Sequence, residues 1–264
     1  MNLALWNAPF LRFVEYGLGA QAETRVRSAG VEDVLGRLAA GQADVALIPT
    51  DIALMASESL EILPAVAVST WSNPFVSLTL PDGFTGGDMV LSHTPDGALT
   101  AFLASVVLKE HYGILSDVSP ASSDSRDVSD HDVVTVQTAD ADRSGEPRAL
   151  DLGQEWYELT NYPMVWALFV SRKGEATPEL IEGIRSRMIA LEDDRIPIAE
   201  RLSGDRAMLD FCLNELRFRL DDLAVASLSS FADFLYFYGR TDQVPAVQFA
   251  SLPAEDELPD GGGN

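Results

Sequence analysis

Four short segments of this 264-residue chain place hydrogen-bonding side chains directly after apolar runs: Trp6-Asn7-Ala8, Pro49-Thr50-Asp51, Val76-Ser77-Leu78 and His93-Thr94-Pro95. In open α/β sheets, ligands sit at loops beyond the carboxyl ends of strands. Amides and hydroxyls in such loops hold a small polar molecule without bringing formal charge. His93 adds a group that exchanges a proton near neutral pH, so it reads either as a general base or as a solvated loop histidine. The three histidines, His93, His111 and His131, are far apart and show no metal-ligand spacing, so no metal is expected. His111 ends a helical stretch and is expected to ease its carbonyl end. Cys212, the one cysteine, lies between Phe211 and Leu213 and reads as an inert buried thiol. The chain has no glycine-rich phosphate loop and no serine-hydrolase elbow, so no nucleotide cofactor is expected either.

The elements that must position these groups alternate between strand and helix. Asn2–Trp6 is a short apolar strand, followed by Asn7 as a candidate N-cap with Pro9 in the first turn. Ala22–Ser28 alternates as a second strand. Gly30 opens an amphipathic helix through Val31, Val34, Leu35 and Leu38, which Gly41 stops. Asp44–Pro49 is a continuous apolar run, the pattern of a parallel strand buried on both faces. Residues 62–68 and 75–80 read as further strands, and Pro81–Asp88 as a hinge or turn. A second strand–helix unit follows, with Met89–Leu91 as strand and Gly97–Tyr112 as helix. Val133–Val136 is another strand, set between polar loops at 119–132 and 139–148. Met164–Val170 is an apolar strand, and Ser171–Gly174 a second crossing point. Thr177 caps a helix from Pro178, and helices are expected over 205–220 and 222–238.

This order predicts an α/β fold of two lobes joined by two crossovers. One lobe combines residues 1–82 with 172–250 and the other spans 83–171. Residues 251–264 form a disordered acidic tail.

Charge narrows the partners. There are 41 acids against 18 bases, for a net charge of −23, and only Lys109 and Lys173 are lysines. Such a chain repels nucleic acid and anionic membranes. No apolar run is long enough for a membrane span, the first residues have no signal-peptide pattern, and the lone cysteine allows no internal disulfide, so a cytoplasmic location is expected. An acidic surface with so few lysines fits a protein working in high salt, where self-repulsion is screened. Denaturation midpoints should therefore rise with KCl, and a flat series would contradict this halophilic reading.

Several segments resemble one family. Gly41-Gln42-Ala43-Asp44-Val45-Ala46-Leu47-Ile48-Pro49 is similar to the G-x-x-D-V-A-L-I-P segment of the menaquinone-biosynthesis chorismate dehydratases. Asp151-Leu152-Gly153-Gln154-Glu155-Trp156-Tyr157-Glu158-Leu159-Thr160, then Pro163 and a strand ending Ser171-Arg172, resembles a longer segment of the same family. Ile62-Leu63-Pro64 and Leu108-Lys109-Glu110-His111-Tyr112-Gly113-Ile114 also fit, so the likeness spans residues 3–240. It implies a fold like the type II periplasmic binding proteins. It implies dehydration of chorismate to 3-[(1-carboxyvinyl)oxy]benzoate, the opening step of the futalosine route. The substrate would be a dicarboxylate, and neither nucleic acid nor membrane would be a partner. The alternatives are a small-acid binder without chemistry, or the sister enzyme of that route that cleaves cyclic dehypoxanthine futalosine.

The resemblance also implies roles. Asn7 matches the asparagine after the family's first strand and would hold the departing hydroxyl or a carboxylate; otherwise it is a plain cap. Ser77 matches the pocket serine after Pro74; otherwise it is an ordinary strand serine. Thr50 stands where the family has serine, and its other role is capping the next helix. After the strand at residue 89 the family carries a Thr-Ser-Ser-Arg-Thr-Ser-like stretch. This chain reads Ser92-His93-Thr94-Pro95-Asp96-Gly97-Ala98-Leu99-Thr100, without the arginine. Thr94 and Thr100 keep part of the hydroxyl set, whereas Asp96 would repel an anion if it faced the pocket. The family's later Gly-Asp is replaced by Gln137-Thr138-Ala139-Asp140. Trp166 either stacks on a ring in the cleft or packs in the core. Trp156 and Tyr157 either floor the cleft or pack the lobe junction, and Glu155 and Glu158 are expected on a solvated face.

Overall fold

A computed structural model describes residues 1–79, 89–120, 133–135, 149–202 and 206–250. The hinge expected at 81–88, most of the two polar loops, His131, Gln137–Asp140 and the tail from 251 lie outside the described residues.

The chain begins with β1 (Asn2–Trp6), a 3-10 turn at Pro9–Leu11, α1 (Arg12–Gly19), β2 (Arg25–Ala29), α2 (Val31–Ala39), β3 (Val45–Pro49), α3 (Thr50–Met55), β4 (Leu60–Thr70) and β5 (Ser77–Thr79). It continues with β6 (Met89–His93), a 3-10 turn at Pro95–Gly97, α4 (Ala98–Tyr112), β7 (Ser116–Pro120), β8 (Val133–Thr135), β9 (Ala149–Asp151) and α5 (Leu152–Thr160). The last elements are β10 (Met164–Arg172), α6 (Pro178–Asp193), α7 (Arg195–Leu202), α8 (Arg206–Asn214), β11 (Arg217–Arg219) and α9 (Asp222–Phe237).

Among the described residues these strands form a six-stranded sheet ordered β11-β4-β10-β3-β1-β2, a three-stranded sheet ordered β7-β6-β8, and the pair β5-β9. β1 runs parallel to β2 and β3. β10 runs antiparallel to both β3 and β4, so β1 to β4 all point the same way. Their carboxyl ends, Trp6, Ala29, Pro49 and Thr70, therefore share one edge, where β10 begins with Met164 opposite Thr70. β6 pairs in parallel with β7 and β8.

Burial follows the sequence pattern. β3 is buried at every position and β10 from Met164 to Ser171, as continuous apolar strands inside a covered sheet must be. α2 buries Val31, Val34 and Leu38, and Gly41 leaves it at φ +69°, a conformation only glycine adopts without strain. Thr177 caps α6 by accepting the Leu180 N–H, as expected.

Two sequence readings change. The division at 171/172 would assign Met164–Val170 to the second lobe, yet β10 is a central strand of the six-stranded sheet. The return therefore precedes Met164, because an antiparallel strand between β3 and β4 is chosen by long-range pairing rather than by local pattern. The helix expected over 205–220 stops at Asn214. Arg217–Arg219 instead pairs with β4, where Phe218 turns inward between two exposed arginines.

α9 joins the two sheets. Trp156 of α5 is fully buried, donates its indole N–H to Ser227 Oγ at 3.0 Å, and packs on Phe231 and Phe234. Phe102 of α4 meets Phe231 with ring centroids 5.4 Å apart. Trp156 thus packs the lobe junction, one of the two roles open to it.

Candidate active site

The carboxyl ends of β2 and β6, one from each of the two larger sheets, meet. In the turn after β6, Asp96 Oδ1 accepts the N–H of Val31, the first residue of α2, at 2.7 Å. A side chain at Gly30 would come within 3.1 Å of Asp96 Oδ2, so the glycine makes room for this approach. Asp96 therefore does not sit as a free charge against an anion. It satisfies an orphan donor at a helix start, where the macrodipole favours it. Asn7 lies on the same side, its backbone N–H bonded to Ala29 O at 2.9 Å. Its side chain is exposed although Trp6 and Ala8 on either side are buried. Asn7 is not the cap of the following turn, which Ala8 begins.

His93 ends β6 half-buried, with Nδ1 2.8 Å from Thr94 O. That bond needs the proton on Nδ1 and leaves Nε2 of the neutral ring as an acceptor. Thr94 is exposed beside it. Behind them lies Asp51, which is 2 % exposed at the start of α3. Burial pushes its carboxyl up from 3.8 to about 6, against the pull of the Ile52 N–H and of the charges on Arg240 and His93. Its Oδ1 has no hydrogen-bond partner among the described residues. Trp6 Nε1, Ser69 Oγ and Asn73 Nδ2 are buried and unpartnered in the same way, and all belong to this edge of the sheet or the loop leaving it. Buried polar groups are normally satisfied, so this edge keeps hydrogen-bonding capacity that the described residues do not use.

The other expected site residues divide. Ser77 is half-buried on β5, directly opposite Asp151 on β9. Thr50 is fully buried and donates its hydroxyl to Val165 O at 2.7 Å, so it ties α3 to β10 rather than facing a ligand. Thr100 is buried in α4. Trp166 is core: it is fully buried, donates its indole N–H to Thr70 Oγ1 at 2.8 Å, and packs against Phe10. No ring face is left for stacking. Cys212 is buried, and burial pushes its thiol up to about 12, as an inert thiol requires.

The Asp151 segment is a local lock. Asp151 accepts hydrogen bonds from Ser72 Oγ at 2.6 Å, Asn73 N at 2.8 Å, Gly153 N at 2.8 Å and Gln154 N at 3.1 Å. It caps α5 and grips the loop after β4 at once. A Cβ at Gly153 would lie 3.0 Å from Asn73 N, so only glycine lets the helix start this close. Glu155 is not on a solvated face. It accepts from Tyr112 Oη at 3.0 Å and lies 2.8 Å from His111 Nδ1, which ties α5 to the end of α4. His111 therefore holds a carboxylate rather than its own helix carbonyls.

The sequence reading named Asp51 only as part of the Pro49-Thr50-Asp51 segment and passed over Arg240. An acid just inside a buried strand–helix junction was the available sign for Asp51. Nothing local placed Arg240, whose position depends on how α9 packs.

A family model described as menaquinone biosynthesis matches residues 1–236. No curated protein sequence matches the chain. Solved structures share its fold. An ABC transporter protein from Parabacteroides distasonis aligns with TM-score 0.60 and 11% identity, covering 97% of this chain and 99% of that one. A protein from Archaeoglobus fulgidus aligns with TM-score 0.58 and 13% identity, covering 91% and 98%. A Candida albicans protein described as having the generic periplasmic binding protein fold aligns with TM-score 0.55 and 12% identity, covering 97% and 99%. The architecture is thus that of the two-lobed periplasmic-binding-protein-like folds, and by the match across nearly all its length the chain belongs to the menaquinone biosynthesis family.

Proposed function

We propose that the protein is a chorismate dehydratase, a carbon–oxygen lyase that forms 3-[(1-carboxyvinyl)oxy]benzoate, with its substrate held between the two lobes. Family membership supports a role in the pathway. The observation that carries the finer reading is the meeting of both sets of strand ends, with Asn7 exposed on one side and His93 and Thr94 on the other. The reaction removes a proton from the ring carbon bearing the enolpyruvyl ether. The C–H electron pair becomes the third ring double bond, and the neighbouring hydroxyl takes a proton and leaves as water. Aromatisation makes the step downhill, so orientation and one hydrogen bond to the departing oxygen account for much of the catalysis. Asn7 is assigned that hydrogen bond and Ser77 a place beside it. Two lobes closing on the ligand would exclude water.

A second reading, a small-acid binder without chemistry, is favoured by the loop at 92–100, which has no arginine. Incubation of the pure protein with chorismate, followed by mass and absorbance, separates the two. The lyase reading expects loss of one water per substrate, and a fall of about a hundredfold in kcat for Asn7→Ala. Binding without turnover would favour the second reading.

A further inference from the structure

Arg240 leaves the end of α9 at a fixed angle. Gly239 takes φ +67°, and the Arg240 N–H donates to Leu235 O at 2.8 Å. The guanidinium carbon lies 6.0 Å from the centre of the Phe102 ring on α4. Its charge also reaches Asp51 at the start of α3. α3 follows β3 of the large sheet and α4 follows β6 of the smaller one. Arg240 therefore stands between the sheets, on the side where both present their carboxyl ends.

The residue is exposed and, among the described residues, makes no ion pair within 4.0 Å. Arg37, Arg172, Arg185, Arg206 and Arg219 each have a carboxylate in reach. The next residue, Thr241, has a buried hydroxyl without a partner, as Asp51 has an unpartnered carboxylate oxygen. A cation, a donor and an acceptor thus remain unmatched where the end of α9 meets α3 and α4. In a chain of net charge −23, an anion entering there meets an unfavourable field unless a local cation offsets it. A guanidinium does so with two parallel bonds to a carboxylate.

We propose that Arg240 receives a carboxylate of an aromatic diacid bound between the lobes. The proposal rests on the dehydratase reading only for the identity of that acid. Asp51 lies behind Arg240 as a positioning group and does not touch the ligand.

The test uses isophthalate, a stable aromatic diacid, and its uncharged dimethyl ester, titrated calorimetrically into the full chain. The wild type should prefer the diacid, with affinity falling as salt rises. Arg240→Gln should weaken diacid binding about tenfold to a hundredfold and leave ester binding unchanged, the loss expected for one charge-assisted pair. Arg240→Lys should keep part of the preference. A cooperative thermal transition in each variant should show that a loss of binding is not a loss of fold. Equal diacid affinity in Arg240→Gln, or no diacid binding by the wild type, overturns the proposal. Diacid binding that depends on Arg240, with no turnover of chorismate, upholds the proposal and overturns the dehydratase reading instead.

Discussion

Asp51→Asn is expected to stabilise the protein above pH 6 and to confer progressively less as the pH falls towards 4. Burial holds this carboxyl at about 6 in the folded chain, against an ordinary value of 3.8. As pH rises, the unfolded chain ionises first. The contribution of Asp51 to stability is therefore whole below pH 3.8, declines between there and about 6, and is lowest above that. A gap of about two pH units corresponds to about 3 kcal/mol at most. Asparagine removes the titration and keeps the shape. Urea midpoints at pH 7.5 and pH 4 should show the variant ahead only at the higher pH, and a difference independent of pH would refute the assignment. A residue whose loss strengthens the fold is one retained for another purpose. In the site proposed above, that purpose is the field it exerts on Arg240.

Asp151→Ala is expected to act in the opposite direction and on a comparable scale. The carboxylate accepts from four groups, and two of them cap α5. Loss of the cap costs about 1 kcal/mol. The Asn73 N–H left without a partner costs about 1–3 kcal/mol more. A total of about 3 kcal/mol should appear as an earlier denaturation midpoint with an unchanged slope. Asp151→Asn should fall between, because its amide oxygen still accepts while its NH2 opposes the donors. A loss under about 1 kcal/mol for the alanine variant would mean that the loop after β4 is held by something else. Since Ser77 pairs directly with Asp151, the same variant should disturb the proposed site.

Much of this architecture could be read from local pattern, and the exceptions have physical causes. β3 was legible because five consecutive apolar residues after Asp44 suit only a strand covered on both faces. α2 was legible from its apolar spacing and its flanking glycines. The place of β10 was not, since its sequence gives the strand but not its neighbours. β11 was missed because Arg217-Phe218-Arg219 is too short to outweigh a helical pattern running up to it. Within the site, Asn7 and Thr94 proved exposed, but Thr50 and Trp166 had already spent their polar groups on Val165 and Thr70. A side chain's type shows what it can bind, and only its packing shows whether that capacity is still free. Arg240 illustrates the converse. It lies far in sequence from Asp51, and the packing of α9 brings its charge within reach of that carboxylate.

The most direct measurement is a crystal structure with 3-[(1-carboxyvinyl)oxy]benzoate. The account predicts the aromatic ring between the lobes, with Asn7 Nδ2 and the Arg240 guanidinium each within hydrogen-bond distance of ligand oxygens. Density for the product elsewhere, such as the surface groove lined by Arg12, Tyr16 and Val26, with nothing between Asn7 and Arg240, would contradict it.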